Sequence, residues 1–146
     1  MAKHKREITD AMINMWGMTT TDWMGYEKGK RDIFTFHHLK VAKRFGGPIE
    51  IWNGAILCGQ TAHPYLHTVE IHDRDRFLYL TKILIEVNEQ RHMPTYEQLL
   101  KIDEALNVFE QEHSSDTNKE GYYIIKDTYT RRLVKKRELY FFDDSL

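Results

Sequence analysis

Four of the eight histidines fall between positions 37 and 67, and their spacing could support metal chemistry. His63 and His67 are four residues apart, so on a helix both imidazoles project from the same face, one turn apart. That spacing lets two side chains bind one metal ion, and a strand residue from the His37-His38 pair could supply a third imidazole. Three such ligands leave coordination positions open for water and for a phosphate oxygen. The pattern therefore predicts a catalytic metal site.

A histidine of this group that does not bind the metal would be free to act as a general base. Imidazole titrates near neutral pH and can therefore accept a proton from water. Asn53 lies between the two histidine pairs, and its amide can bond to backbone groups on both sides of a loop and hold the base in place. Taken alone, Asn53-Gly54 is more often a tight turn, and two histidines four apart are more often surface residues.

The elements that must position these side chains can be predicted from periodicity. An aromatic and β-branched run over 33–39 predicts a strand. After a glycine-proline break at 46–48, either 49–52 or 55–57 predicts its partner, which would complete a hairpin. The loop between the strands is basic, with Lys40, Lys43 and Arg44.

Helical periodicity accounts for most of the remaining chain. Thr95 and Gln98 form the capping-box pattern that opens the last of four main helices. Some helix is also predicted within 122–139, and the fold class is α+β. The main predicted helices cover residues 5–16, 63–71, 73–90 and 95–112. The residues assigned to the core include Trp16, Trp23, Tyr26, Phe34 and Phe36.

The order of these motifs resembles the HNH nuclease signature, which belongs to the ββα-metal fold. The likeness extends to small HNH proteins of phages and mobile elements in Gram-positive bacteria. It is dense over residues 33–72 and general from there to about 113. It implies a core of hairpin plus helix with flanking α-helices. The motifs that carry it are His37-His38, then Asn53-Gly54-Ala55-Ile56-Leu57-Cys58, then His63-Pro64-Tyr65-Leu66-His67.

The resemblance implies a role for each matching residue. His37, His63 and His67 match the family's metal ligands, His38 its general base, and Asn53 the asparagine that shapes the hairpin. The implied activity is metal-dependent hydrolysis of DNA phosphodiester bonds that leaves 5′-phosphate and 3′-hydroxyl ends. Because one such centre cuts one strand at a time, the expected product is a nick unless the chain dimerises.

One divalent ion is implied, and Mg²⁺, Mn²⁺, Ni²⁺ and Zn²⁺ are the candidates. An all-histidine ligand set suits transition ions better than Mg²⁺, which prefers oxygen. Cys58 is the only cysteine, so the paired cysteines of many family members are missing and no structural zinc is expected. The lone cysteine favours a reducing, cytoplasmic setting. Neither a signal peptide nor a membrane span is predicted.

The net charge of −1 is unevenly distributed. Residues 1–48 carry nine Lys and Arg against five Asp and Glu, residues 49–116 carry five against twelve, and residues 117–146 carry seven against five. Basic ends suit phosphate binding, and the expected substrate is double-stranded DNA. The predicted nucleic-acid contacts are Lys43, Arg44, Arg131, Arg132, Lys135 and Lys136.

The predicted organisation has a basic, helical extension over 1–32, an HNH core over 33–72, a helical pair over 73–113 and a basic arm over 114–146. A second function remains open, namely a phage or mobile-element protein that binds a partner on an HNH scaffold with little or no catalysis. Such a protein could inhibit a host defence nuclease or assist DNA packaging. The acidic middle segment favours this reading, because it could contact a basic protein surface.

Overall fold

The computed structural model describes residues 2–125, which form four α-helices and a two-stranded antiparallel sheet. The predicted α+β class is therefore confirmed, and the second strand occupies the later of its two predicted positions. The 3₁₀ turns at Lys43–Phe45 and Ile51–Asn53 lie between the strands. The main elements are α1 (Ala2–Trp16), β1 (Phe34–His38), β2 (Gly54–Cys58), α2 (Ala62–His72), α3 (Arg74–Gln90) and α4 (Tyr96–His113).

The hairpin lies at the centre of the core. Its register pairs Phe34 with Cys58 and His38 with Gly54, and every residue of β2 is buried. A continuous apolar strand of this kind is typical of a sheet that is covered on both faces. At Gly54 an added Cβ would lie 2.2 Å from the Phe36 ring, so this aromatic side chain packs where only a hydrogen fits. Helices α1, α2 and α3 all contact the hairpin.

A buried carboxylate joins the segment after α1 to β2. Asp22 accepts hydrogen bonds from the backbone N–H groups of Met24 (2.8 Å), Tyr26 (3.0 Å) and Cys58 (2.8 Å). Burial raises the pKa of the Asp22 carboxyl to about 6, although these backbone bonds act in the opposite direction. The N-terminal segment is therefore packed into the same core as the hairpin.

Helices α3 and α4 begin at well-formed caps. The Asp73 side chain accepts from the Arg76 N–H, and Thr95 with Gln98 forms the capping box predicted from the sequence. Asn88 on α3 donates to backbone carbonyls at both the 51–53 turn and β2, which fixes the helix against the hairpin. All five aromatic residues assigned to the core are buried.

Some helix was predicted within 122–139, and only the first four residues of this segment are described. Residues 122–125 are not helical; instead Tyr123 pairs with Thr117 in an isolated antiparallel bridge across a turn. The rest of the segment lies outside the described residues, so this helix stays a prediction. No helix within residues 2–125 is long and apolar enough to cross a membrane. Four predicted nucleic-acid contacts also lie outside the described residues: Arg131, Arg132, Lys135 and Lys136.

Candidate metal centre

Three imidazoles from β1 and α2 converge at one point. His37 lies on β1, His63 and His67 lie on α2, and each pair of ring centroids is 5.2 Å apart. One ring nitrogen of each lies within 4.8 Å of the other two, so this group could hold a metal ion. The structure therefore brings together the three residues that the sequence suggested as ligands.

His37 is the most deeply buried of the three, with 3 % of its surface exposed. Neither Nδ1 nor Nε2 has a hydrogen-bond partner among the described residues. A buried polar atom without a partner costs free energy, and a metal ion would provide one for a ring nitrogen. Burial, assisted by the neighbouring histidines, holds the pKa of His37 well below its usual value. The ring is therefore neutral at neutral pH, which is the form that binds metals.

A threonine hydroxyl orients His63. Thr35 Oγ1 donates to the Leu57 carbonyl at 3.1 Å and lies 2.7 Å from His63 Nδ1. Because the single hydroxyl hydrogen is directed to Leu57, we assign the hydrogen of the second bond to His63 Nδ1. The Nε2 lone pair is then free for a metal. Burial and nearby positive charges lower the pKa of His63 to about 4.

A carboxylate orients His67 in a similar way. Glu70 Oε1 lies 3.1 Å from His67 Nδ1, and an ionised carboxylate can only accept, so Nδ1–H donates and Nε2 is free. Arg74 in turn lies 3.7 Å from the other carboxylate oxygen of Glu70. Metal-binding histidines usually have such a partner on their second nitrogen. Sequence reasoning missed Thr35 and Glu70, although the i+3 spacing of Glu70 from His67 was a usable signal.

His38 lines the same cavity as the three histidines. Successive side chains of a regular strand point to opposite faces, but β1 ends at His38 and Leu39 N–H bonds to the Asn53 carbonyl at 2.9 Å. His38 Nε2 is buried and has no hydrogen-bond partner within residues 2–125. Burial lowers the pKa of His38, while a hydrogen bond with the Gly47 backbone acts in the opposite direction.

Asn53 fastens the loop beside His38. Its Oδ1 accepts from the N–H groups of Lys40 and Val41, both at 2.9 Å. Its Nδ2 donates to the carbonyls of Val41 at 2.9 Å and Pro48 at 3.1 Å. These four bonds join both ends of the loop over 40–48, so the fully buried Asn53 positions the backbone and does not line the cavity.

The cavity in front of the histidines has a volume of about 830 Å³ and a cationic wall. Glu70 is the only carboxylate among its described lining residues. Two of the cationic residues were predicted as phosphate contacts, and Lys5, Lys40 and Arg74 were not. Lys5 is distant along the chain from the histidines, and Arg74 lies beyond the end of α2. The cationic lining residues are Lys5, Lys40, Lys43, Arg44 and Arg74.

A second group of possible ligands lies where α3 and α4 meet, and it consists of Asp73, Glu112 and His113. Arg76 Nε lies 2.8 Å from Asp73, and its Nη2 lies 3.5 Å from Glu112, so a guanidinium already neutralises these carboxylates. His113 is half-buried and bonds Asp116 at 2.6 Å. The group is therefore an ion-pair cluster.

No family model matches the chain, and neither a curated protein nor a solved structure matches it. The chemistry of the site must therefore be argued from its own side chains. Three imidazoles approach one another, a fourth lies in the same cavity, and the wall around them is cationic.

Proposed function

We propose that the chain is a metal-dependent endonuclease of the HNH type that nicks DNA. The convergence of His37, His63 and His67 beside His38 is the observation that carries this proposal. The element order β1, β2, α2 supports it, since the ββα-metal resemblance implies a hairpin followed by a helix. The cationic wall supports it further, because a phosphodiester substrate is a polyanion.

His37, His63 and His67 would hold the metal ion. Imidazole suits Ni²⁺ and Zn²⁺ better than Mg²⁺ or Mn²⁺, so we expect Ni²⁺ or Zn²⁺ to bind most tightly. When bound, a divalent ion supplies stabilisation of the negative charge that develops on phosphate oxygens. The unpartnered nitrogens of His37 and the oriented rings of His63 and His67 suit this donor set.

His38 acts as the general base in this proposal. Burial lowers the pKa of His38, so the ring is neutral at neutral pH, and a neutral imidazole can take a proton from a water molecule. Asn53 is a positioning residue that holds the loop next to this base. Lys43 and Arg44 attract and hold the phosphate backbone by charge.

Cleavage of supercoiled plasmid tests the proposal, with Mg²⁺, Mn²⁺, Ni²⁺ and Zn²⁺ added in turn. We expect nicked circles with at least one ion. His38→Ala should slow nicking by about 100-fold or more while metal binding is retained, because general-base catalysis contributes that much. His63→Ala should lose both metal binding and nicking. His92→Ala, which changes an exposed histidine outside the cavity, is the matched control and should leave both unchanged.

A second candidate, a partner-binding protein on the same scaffold, is favoured by the acidic surface of α3 and α4. Asp75, Glu86 and Glu104 are exposed there. Such a surface complements a basic protein partner. Metal binding that depends on His63, without cleavage by any of the four ions, would contradict the nuclease and favour this candidate. Biological activity that survives His38→Ala would do the same.

A further inference from the structure

We infer that Phe45 is a stacking platform for an unpaired base, so that the cavity takes single-stranded or locally opened DNA. Phe45 lies at the tip of the loop between the strands, and 73 % of its surface is exposed. It also lines the cavity that contains the four histidines. The inference rests on the proposed function for its substrate class, but its test requires no cleavage.

The loop presents Phe45 on a fixed backbone. The N–H groups of Phe45 and Gly47 both bond the Ala42 carbonyl at 3.0 Å, and Gly46 adopts a left-handed φ of 78°. At Gly47 an added Cβ would lie 2.0 Å from the Val41 carbonyl oxygen, so only glycine fits there. A ring displayed on such a turn costs little ordering entropy when it binds a ligand.

The neighbours of Phe45 favour a nucleic acid over an apolar partner. The Arg44 guanidinium lies 5.0 Å from the Phe45 ring centroid, and four further cations line the same cavity. Proteins that bind single strands combine cations that follow the backbone with aromatic rings that stack on bases. An apolar protein surface would not complement the five positive charges that line this cavity.

The exposed Phe45 ring also favours an unpaired base over a base within a duplex as its ligand. In a duplex each base is already stacked between its neighbours, so the face of the Phe45 ring would find no free partner. An unpaired base can leave the stack and cover the ring. Because Phe45 and the histidines line one cavity, a base held there places an adjacent phosphate close to the candidate metal centre.

Binding of labelled oligonucleotides by the full chain, measured by fluorescence anisotropy with a chelator present, tests this inference. The probes are an oligothymidylate, the same length of abasic strand, and a duplex. Phe45→Ala should weaken binding of oligothymidylate by about 10-fold, which is typical for loss of one base–aromatic stack. It should change binding of the abasic strand and the duplex by less than about 2-fold, and Phe45→Tyr should restore the affinity.

Ile71→Ala is the matched control, because it removes an equally exposed apolar side chain from outside the cavity. It should leave all three affinities unchanged. Equal losses on thymidylate and abasic strands after Phe45→Ala, or no loss on either, would overturn the inference. A chain that stacks a base without ever nicking plasmid would support it and contradict only the nuclease. If the chain nicks plasmid but Phe45→Ala leaves thymidylate binding unchanged, the nuclease would be supported and the stacking role of Phe45 contradicted.

Discussion

Asn53 and His37 are both buried polar side chains, but they differ in whether their polar atoms have hydrogen-bond partners. Asn53 is fully buried and makes four hydrogen bonds to the loop backbone, whereas neither ring nitrogen of His37 has a partner among the described residues. The first arrangement offsets the cost of burial within the chain itself. The second does not, and natural chains keep such costs mainly where a ligand or a reaction compensates for them. Asn53 is thus satisfied by the fold itself, whereas the ring nitrogens of His37 could still bind a metal ion.

Asn53→Ala should have the largest effect on the fold. It leaves two backbone N–H groups and two carbonyls of the loop without their partner, and we expect the free energy of unfolding to fall by about 3 kcal/mol. Urea unfolding followed by circular dichroism measures this. Gln60→Ala is the control, since it removes an exposed amide bond at 3.0 Å to the Arg31 carbonyl and should cost about 1 kcal/mol or less. A loss at Asn53 no larger than in the control would contradict the comparison.

His37→Leu should have little effect on the stability of the metal-free fold and should abolish its stabilisation by metal. It removes two unpartnered polar atoms and retains similar volume, so the metal-free chain should unfold within about 1 kcal/mol of the parent or be more stable. The parent should gain about 2.7 kcal/mol when a metal ion is present at 100 times its Kd, and the variant should lose that gain. Urea unfolding with and without Ni²⁺ or Zn²⁺ checks both statements. A strongly destabilised metal-free variant would show that His37 already supports the fold.

Thr35→Val should weaken metal binding with little change in stability. Without the hydroxyl, His63 loses the bond that fixes its ring and keeps hydrogen on Nδ1, and we expect metal affinity to fall by about 10- to 100-fold. Isothermal titration calorimetry measures the affinity. Thr68→Val is the control, because that hydroxyl bonds only the Pro64 carbonyl on α2 and should not affect the metal. Equal metal affinities for the two variants would show that Thr35 does not contribute to the metal site.

Among these substitutions, Glu70→Gln should have the smallest effect, a modest loss of metal affinity. The amide can still accept from His67 Nδ1, but the negative charge is lost from a partly exposed pair, so we expect metal affinity to fall by about 3-fold. The same titration measures it, and raised salt should narrow the difference from the parent because salt screens exposed charges. A loss larger than that of Thr35→Val would mean that Glu70 itself binds the metal.

Local patterns accounted for much of the fold. Periodicity and the Thr95 capping box predicted α3 and α4 closely, because these signals lie within a few residues of one another. The second strand was ambiguous, since 49–52 alternates apolar residues with Glu50 and 55–57 is continuously apolar, and either pattern is typical of a strand. The choice between them depends on Phe36 packing over Gly54, which is a contact between distant residues.

The sequence predicted part of the candidate site, as it did part of the fold. The spacing of His63 and His67 was sufficient to suggest a shared metal, and the structure places His37 beside them. The hydroxyl of Thr35 could not be assigned from the sequence, because its partner depends on the pairing of β1 with β2. Lys5 and Arg74 reach the cavity from α1 and α3, and no local pattern marks them. Their positions follow only from the packing of whole helices.

The bond between Asp22 and the Cys58 N–H limits how far the protein can be shortened. A peptide restricted to residues 33–72 would contain every histidine of the candidate centre but would lose this carboxylate and two of the helices that contact β2, α1 and α3. Its central strand would then be exposed to water, where an apolar edge pairs readily with other copies. We therefore expect such a minimal fragment to aggregate, and a usable fragment needs α1, α3 and α4 as well.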